Sequence, residues 1–190
     1  MEKQYKIAID ARDKLNENYH KWMTFYYVAN GAILVAITTL SSKQVLDKGI
    51  FILSLIGVLI CMIWNLSCKG YYYWSHSWIN LIIELEKKVF INEDLVYGAF
   101  SKKIADDEKP SWYPMEPNNI STPKLTLIFS FISFLSWTVY SIYSYNIQFQ
   151  EYSILIKTII SILICLTIIA CYIGIPKLVK SRQYGKHKLV

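Results

Sequence analysis

Four stretches of this chain, Trp22–Leu40, Ile50–Ser67, Leu125–Tyr145 and Tyr152–Ile175, are almost free of charge. Each contains a run of about 18 or more residues, the length an α-helix needs to cross the hydrocarbon core of a bilayer. A helix on the core of a soluble domain would place polar residues along one face, and these stretches do not alternate in that way. The composition agrees: 54% of the 190 residues are hydrophobic and 18% are charged, where soluble domains carry about 25% charge. The expected fold class is all-α: a polytopic membrane protein with four transmembrane helices in two hairpins and cytoplasmic helical extensions. The first 21 residues are charged throughout and lack the apolar core of a cleavable signal. The first span is therefore expected to act as its own insertion signal.

The net charge of +6 raises the question of nucleic acid, and the distribution of the charge argues against it. Five Lys/Arg precede the first span, two lie in the 41–49 loop, seven lie between Lys69 and Lys124, and five follow Ile175. The 146–151 turn has none, and Lys157 sits inside the fourth stretch. If the chain crosses four times, seventeen of the twenty basic residues fall on one side, which is the positive-inside pattern. Both termini and the long middle segment are expected in the cytoplasm. The same charge would attract anionic lipid.

The expected organisation is a cytoplasmic N-terminal helix at 1–21 and a first transmembrane hairpin at 22–67. A cytoplasmic helical segment with a Pro-rich linker follows at 68–124, then a second hairpin at 125–175 and a basic cytoplasmic tail at 176–190. Between Gly70 and about Ile91, the residues Tyr71, Trp74, Trp78, Leu81, Ile82, Leu85 and Val89 recur at three- and four-residue steps and make one apolar stripe. Glu84, Glu86, Lys87 and Lys88 lie mostly off it. Asn92 could cap a second short helix. "EKPSWYPMEPNNISTPK", with Pro110, Pro114, Pro117 and Pro123, is read as an extended linker. Trp74, Trp78, Leu81, Ile82, Leu85 and Glu84 are the candidate assembly or partner contacts. Trp64 and Tyr71–Trp74 are expected to anchor the second span at the headgroup level, where Trp and Tyr find both apolar and polar surroundings.

No catalytic constellation stands out, and the protein is not expected to be an enzyme. The chain has seven glycines and no phosphate-cradling loop. Ser75 and His76 are sequence neighbours and fall on different helix faces. Cys61, Cys68, Cys165 and Cys171 form no C-x-x-C pair, and His20, His76 and His187 are scattered. No metal site or cofactor is expected, and the cysteines read as small apolar residues. "RQYGKH" at 182–187 has the Arg-to-His spacing of RNA-cutting HEPN domains. Those need a helix start inside a bundle, and here the pattern lies in a tail beside a glycine.

The spans carry polar stripes instead. Ser130, Ser133, Trp137, Ser141 and Ser144 follow steps of three and four in the third span, and Thr158, Ser161, Cys165 and Tyr172 do so in the fourth. Such stripes allow close packing and cross-helix hydrogen bonds, and they also suit a wet pathway. Ser130, Ser133, Ser141, Ser144, Lys157, Thr158 and Ser161 are the candidate pathway-lining residues. Lys157 is the one charge inside a span and lies close enough to the outer boundary to snorkel. Asn30 and Asn65 read as glue between helices.

Two stretches carry a resemblance: "ARDKLNENYHKWMTFYYVANGAILVAI" at 11–37, a charged helix entering an aromatic-rich span, and "WINLIIELEKK" at 78–88, just after the second span. The layout resembles small bacterial four-span proteins of the RipA-like and defence-associated families. It is also similar to membrane accessory proteins of type VI CRISPR loci and of nucleotide-signalling defence systems. The resemblance implies a homo-oligomer that forms or gates a membrane pathway in antiviral defence, with the bilayer, further copies of itself and a cytoplasmic defence protein as partners. A non-conducting scaffold that recruits a soluble partner through its cytoplasmic helices is the alternative.

Overall fold

The structure is a computed structural model that describes residues 2–42, 48–89 and 121–178. Among these residues there are four helices and no strand: α1 (Glu2–Ser42), α2 (Lys48–Val89), α3 (Thr122–Gln148) and α4 (Ile154–Leu178). All four are long and apolar enough to cross a membrane. The short helix after Asn92, the linker prolines Pro110, Pro114 and Pro117, and the "RQYGKH" tail lie outside the described residues.

The first two helices are longer than a membrane is thick. At 1.5 Å per residue, the 41-residue α1 and the 42-residue α2 are each about 60 Å long, roughly twice the ~30 Å hydrocarbon core. The excess forms a stalk of two packed helix ends, made by the start of α1 and the end of α2. The segment from Gly70 is thus a direct continuation of the second span, with no break near Ser67. The sequence there offers a single glycine and no proline, too little to stop a helix that has packing on both sides of it.

The third helix begins at Thr122, so Pro123 lies in its first turn and not in an extended linker. Proline is tolerated there because the first N–H groups of a helix have no intrahelical acceptor. The tight connection at 149–153 closes the second hairpin, with the Phe149 N–H donating to the Tyr145 carbonyl at 3.1 Å.

The core lies on α2, against which both α1 and α3 pack. The α1 face supplies Tyr19, Met23, Tyr26, Ile33 and Ile37, and the α3 face supplies Phe134 and Trp137. The fourth helix differs: 39% of the apolar stretch of α2 is buried inside the subunit and none of that of α4.

Candidate functional site

The packing face of α2 is a run of small and polar residues: Ser54, Gly57, Cys61, Asn65 and Cys68. They are spaced three and four apart, so they form one stripe that lets a neighbouring helix approach closely. The stripe was present in the sequence, but the α2 stretch reads there as an undifferentiated apolar run. It meets the stripe on α3 that contains Ser130, Trp137 and Ser144. Ser54 Oγ and Ser144 Oγ are 3.3 Å apart. The Trp137 indole lies over Gly57, where a Cβ would stand 2.5 Å from the ring.

Two asparagines tie the bundle together at membrane depth. The Trp137 Nε1–H (2.9 Å) and the Cys61 thiol (3.0 Å) both donate to Asn30 Oδ1, joining α1, α2 and α3. The Asn30 Nδ2–H donates to the Tyr26 carbonyl on its own helix at 2.8 Å. Asn65 donates to Ser130 Oγ at 2.9 Å and to the Leu127 carbonyl at 3.1 Å, and its Oδ1 accepts from the Tyr172 hydroxyl at 2.7 Å. Tyr172 comes from α4, stacks on Phe134 with centroids 5.3 Å apart, and accepts a hydrogen bond from the Lys69 ammonium. These contacts pin the C-terminal part of α4 to α2 and α3.

The residues selected from sequence separate into four places. Ser130, Ser141 and Ser144 are buried between α2 and α3 within the subunit. Ser133 lies in a groove between α1 and α3, and its hydroxyl donates to the Phe129 carbonyl. Thr158 and Ser161 line a separate cleft of about 340 Å³ between α3 and α4, with Asn146 and Cys165. Lys157 is half-buried in the first turn of α4.

The groove holds about 1030 Å³ and opens on the subunit surface, with Asn30, Thr38 and Ser136 among its polar groups and Trp64 and Tyr140 among its walls. In the cleft, the Thr158 hydroxyl donates to the Ile154 carbonyl and Asn146 donates to the Ile142 carbonyl, whereas Ser161 Oγ has no partner.

The stalk carries the second set of candidates. Ile82 and Leu85 are buried against Ala8 of α1, and Trp78 and Leu81 pack around them. That stripe is therefore spent inside the subunit. Glu84 is exposed and paired with Lys88 at 3.0 Å, and Trp74 is 43% exposed. Glu86 is buried and partnered; it stands one turn after Ile82, which brings it under the neighbouring helix. At the foot of the stalk, Tyr19 stacks on Tyr71 at 3.7 Å, and burial pushes its phenol up to about 12. Trp64 is not a headgroup anchor. It is 1% exposed, with its Nε1–H directed at Met23 Sδ, because it faces α1 rather than lipid. Exposed rings stand beside it at Tyr27 and Phe129, and further toward the stalk at Trp22, Phe25, Tyr73 and Trp74. Among the described residues, no three His, Cys, Asp or Glu side chains cluster as metal ligands.

Four long apolar helices, joined by interhelical polar contacts and extended by a helical stalk, define an α-helical multi-pass membrane protein. The model of the octameric membrane protein family (8xMP) matches residues 2–146, and the chain belongs to that family of oligomeric membrane proteins. The matched part holds α1, α2 and the whole α1/α3 groove, and α4 follows it. No curated protein and no solved structure matches the chain.

Proposed function

We propose that eight copies of this chain form a ring in the bacterial inner membrane, with termini and stalks in the cytoplasm, and that the ring forms or gates a pathway across the bilayer. The observation that carries the pathway is Ser161. Ser161 borders an open cleft beside Asn146 and Thr158, and its hydroxyl is shielded there without a partner. In hydrocarbon an unsatisfied polar group costs several kcal/mol, and a small rotation of α4 that brings water from the cleft to this hydroxyl would remove that cost. Eight such clefts around one axis would give a hydrated lining without a charged residue. Seventeen of the twenty basic residues on one side of the four spans support the orientation. The setting in antiviral defence rests on the resemblance in layout to defence-associated four-span proteins. We assign no reaction to the protein.

A second reading, a non-conducting scaffold, draws on the exposed Tyr73 and Trp74 at the foot of the stalk, where a soluble partner could dock. Liposomes carrying the purified protein, loaded with ion and small-dye reporters, separate the two. The pathway reading expects leakage that rises with protein and is lost in Ser161→Leu. Tight liposomes with correctly inserted octamer would leave the scaffold.

A further inference from the structure

Two glycines in the spanning parts of α1 and α2 are used differently. At Gly57 the missing side chain is what admits the Trp137 indole. At Gly31 a Cβ would meet nothing within 4 Å. Glycine destabilises a helix interior, so open space inside the subunit gives no reason for it. Gly31 lies in the α1/α3 groove beside Asn30, and across from it stand Ser133 and Ser136 of α3. These small residues leave a channel wide enough for something outside the subunit to come close.

Symmetry limits what that can be. The bias of basic residues fixes one orientation in the membrane, so neighbouring copies are related by rotation about the membrane normal. A ring of more than two such copies closes only through a heterologous contact, where two different patches meet. The groove therefore faces some other part of the next copy.

Helix α4 stands on the far side of α3. The third helix turns Ser133 and Ser136 to the groove, and turns Phe131, Phe134 and Asn146 to α4. Among the described residues of α4, none is buried in its own subunit. Beside the face it turns to the cleft, it presents a ridge of Ile159, Leu163, Leu166 and Ile173, which are 49%, 55%, 56% and 54% exposed, with Leu166 also bordering the cleft. Large aliphatic side chains on one helix and small residues on the other are a packing pair in lipid, where close van der Waals contact replaces the hydrophobic drive.

We infer that the α1/α3 groove receives α4 of the neighbouring copy, with this ridge over Gly31, Ser133 and Ser136. The inference rests on the ring reading above and says which surfaces close the ring.

Disulfide crosslinking of the full chain tests it, with the accessible Cys165 and Cys171 changed to Ala and the buried Cys61 and Cys68 kept. Ser136 and Leu166 stand at matching distances on either side of the 149–153 turn, and so at similar depth. The variant Ser136→Cys/Leu166→Cys is expected to give a ladder of linked copies running past the dimer, and each single variant none. Native mass in nanodiscs counts the copies independently. Eight copies without the ladder would overturn the contact and leave the ring standing, as would a ladder formed when Leu59→Cys, on the exposed back of α2, replaces Leu166→Cys. Single copies by mass in the unsubstituted chain would overturn the ring itself. Gly31→Leu, whose Cβ meets no atom within the subunit, is expected to drop the mass from eight copies to one while the single subunit stays folded. An intact octamer in that variant would exclude the groove as the contact.

Discussion

Helices α3 and α4 have the same kind of sequence, an apolar span with hydroxyl residues at three- and four-residue steps, and the subunit uses them in opposite ways. The third helix hides its polar stripe. Ser130, Ser141 and Ser144 are buried against a matching stripe on α2. The fourth buries no described residue as a whole: Ser161 Oγ is shielded without a partner, as Ser141 Oγ is on α3, and the helix is held to the subunit by the 149–153 turn and by Tyr172 near its other end. Spacing alone does not separate a packing stripe from a lining stripe. What separates them is whether a facing helix carries small residues at the complementary positions. α2 has Ser54, Gly57, Cys61 and Asn65 for α3, and α3 turns Ile142 and Asn146 to α4 at the cleft.

The sharpest way to break the α2/α3 half is Gly57→Leu. Overpacking a tight core ordinarily costs about 1–3 kcal/mol and occasionally more. Here the new Cβ alone would stand 2.5 Å from a buried indole that also donates to Asn30. The indole cannot yield without giving up that bond and the Asn30 junction with it. The expected outcome is loss of the folded subunit, seen as a collapsed unfolding transition in detergent. Gly31→Leu should leave that transition in place, and equal losses in both would contradict the distinction between the two glycines.

The next effect belongs to Asn65, which reaches both α3 and α4. Asn65→Leu removes three hydrogen bonds, to Leu127, Ser130 and Tyr172. Interhelical hydrogen bonds in membranes average about 0.6 kcal/mol and reach about 1.7, so the expected loss is about 2 kcal/mol in an SDS-titrated unfolding curve. Tyr172→Phe removes one of the three and the hydrogen bond from Lys69, and keeps the ring on Phe134. It should cost about 1 kcal/mol and speed hydrogen exchange in α4 more than in α3. Uniform acceleration across both helices would show that Tyr172 is not what holds α4.

The spans, the helical class and the apolar stripe of the stalk were legible because hydrophobic length and 3.6-residue periodicity are properties of one segment. The partners of those faces were not, because they depend on two segments at once. Ile82 and Leu85 read as a docking stripe in sequence, yet Ala8 of α1 lies against them. Trp64 reads as a headgroup anchor because it follows an apolar run, yet it points at α1. Asn30 and Asn65 were readable as helix glue, since an amide at membrane depth must find a partner. Which partners they find, Trp137 and Cys61 for one and Ser130 and Tyr172 for the other, came only with the packing.

The smallest effect separates the two helices most finely. Ser130→Ala and Ser161→Ala each remove one hydroxyl from a membrane-spanning helix. Ser130 is fully buried and accepts from Asn65 at 2.9 Å, though Asn65 keeps the Leu127 carbonyl as a second acceptor. Its loss should cost about 0.6 kcal/mol and leave leakage per assembled octamer unchanged. Ser161 gives up no hydrogen bond, so Ser161→Ala should leave unfolding unchanged or shift it slightly upward, because an unpaired polar group is removed. If the cleft is hydrated, the same change makes its wall more apolar and should lower leakage through the assembly. The pair is measured by unfolding and leakage on the same preparations. A stability loss in Ser161→Ala with unchanged leakage would mean that α4, like α3, spends its polar stripe on packing.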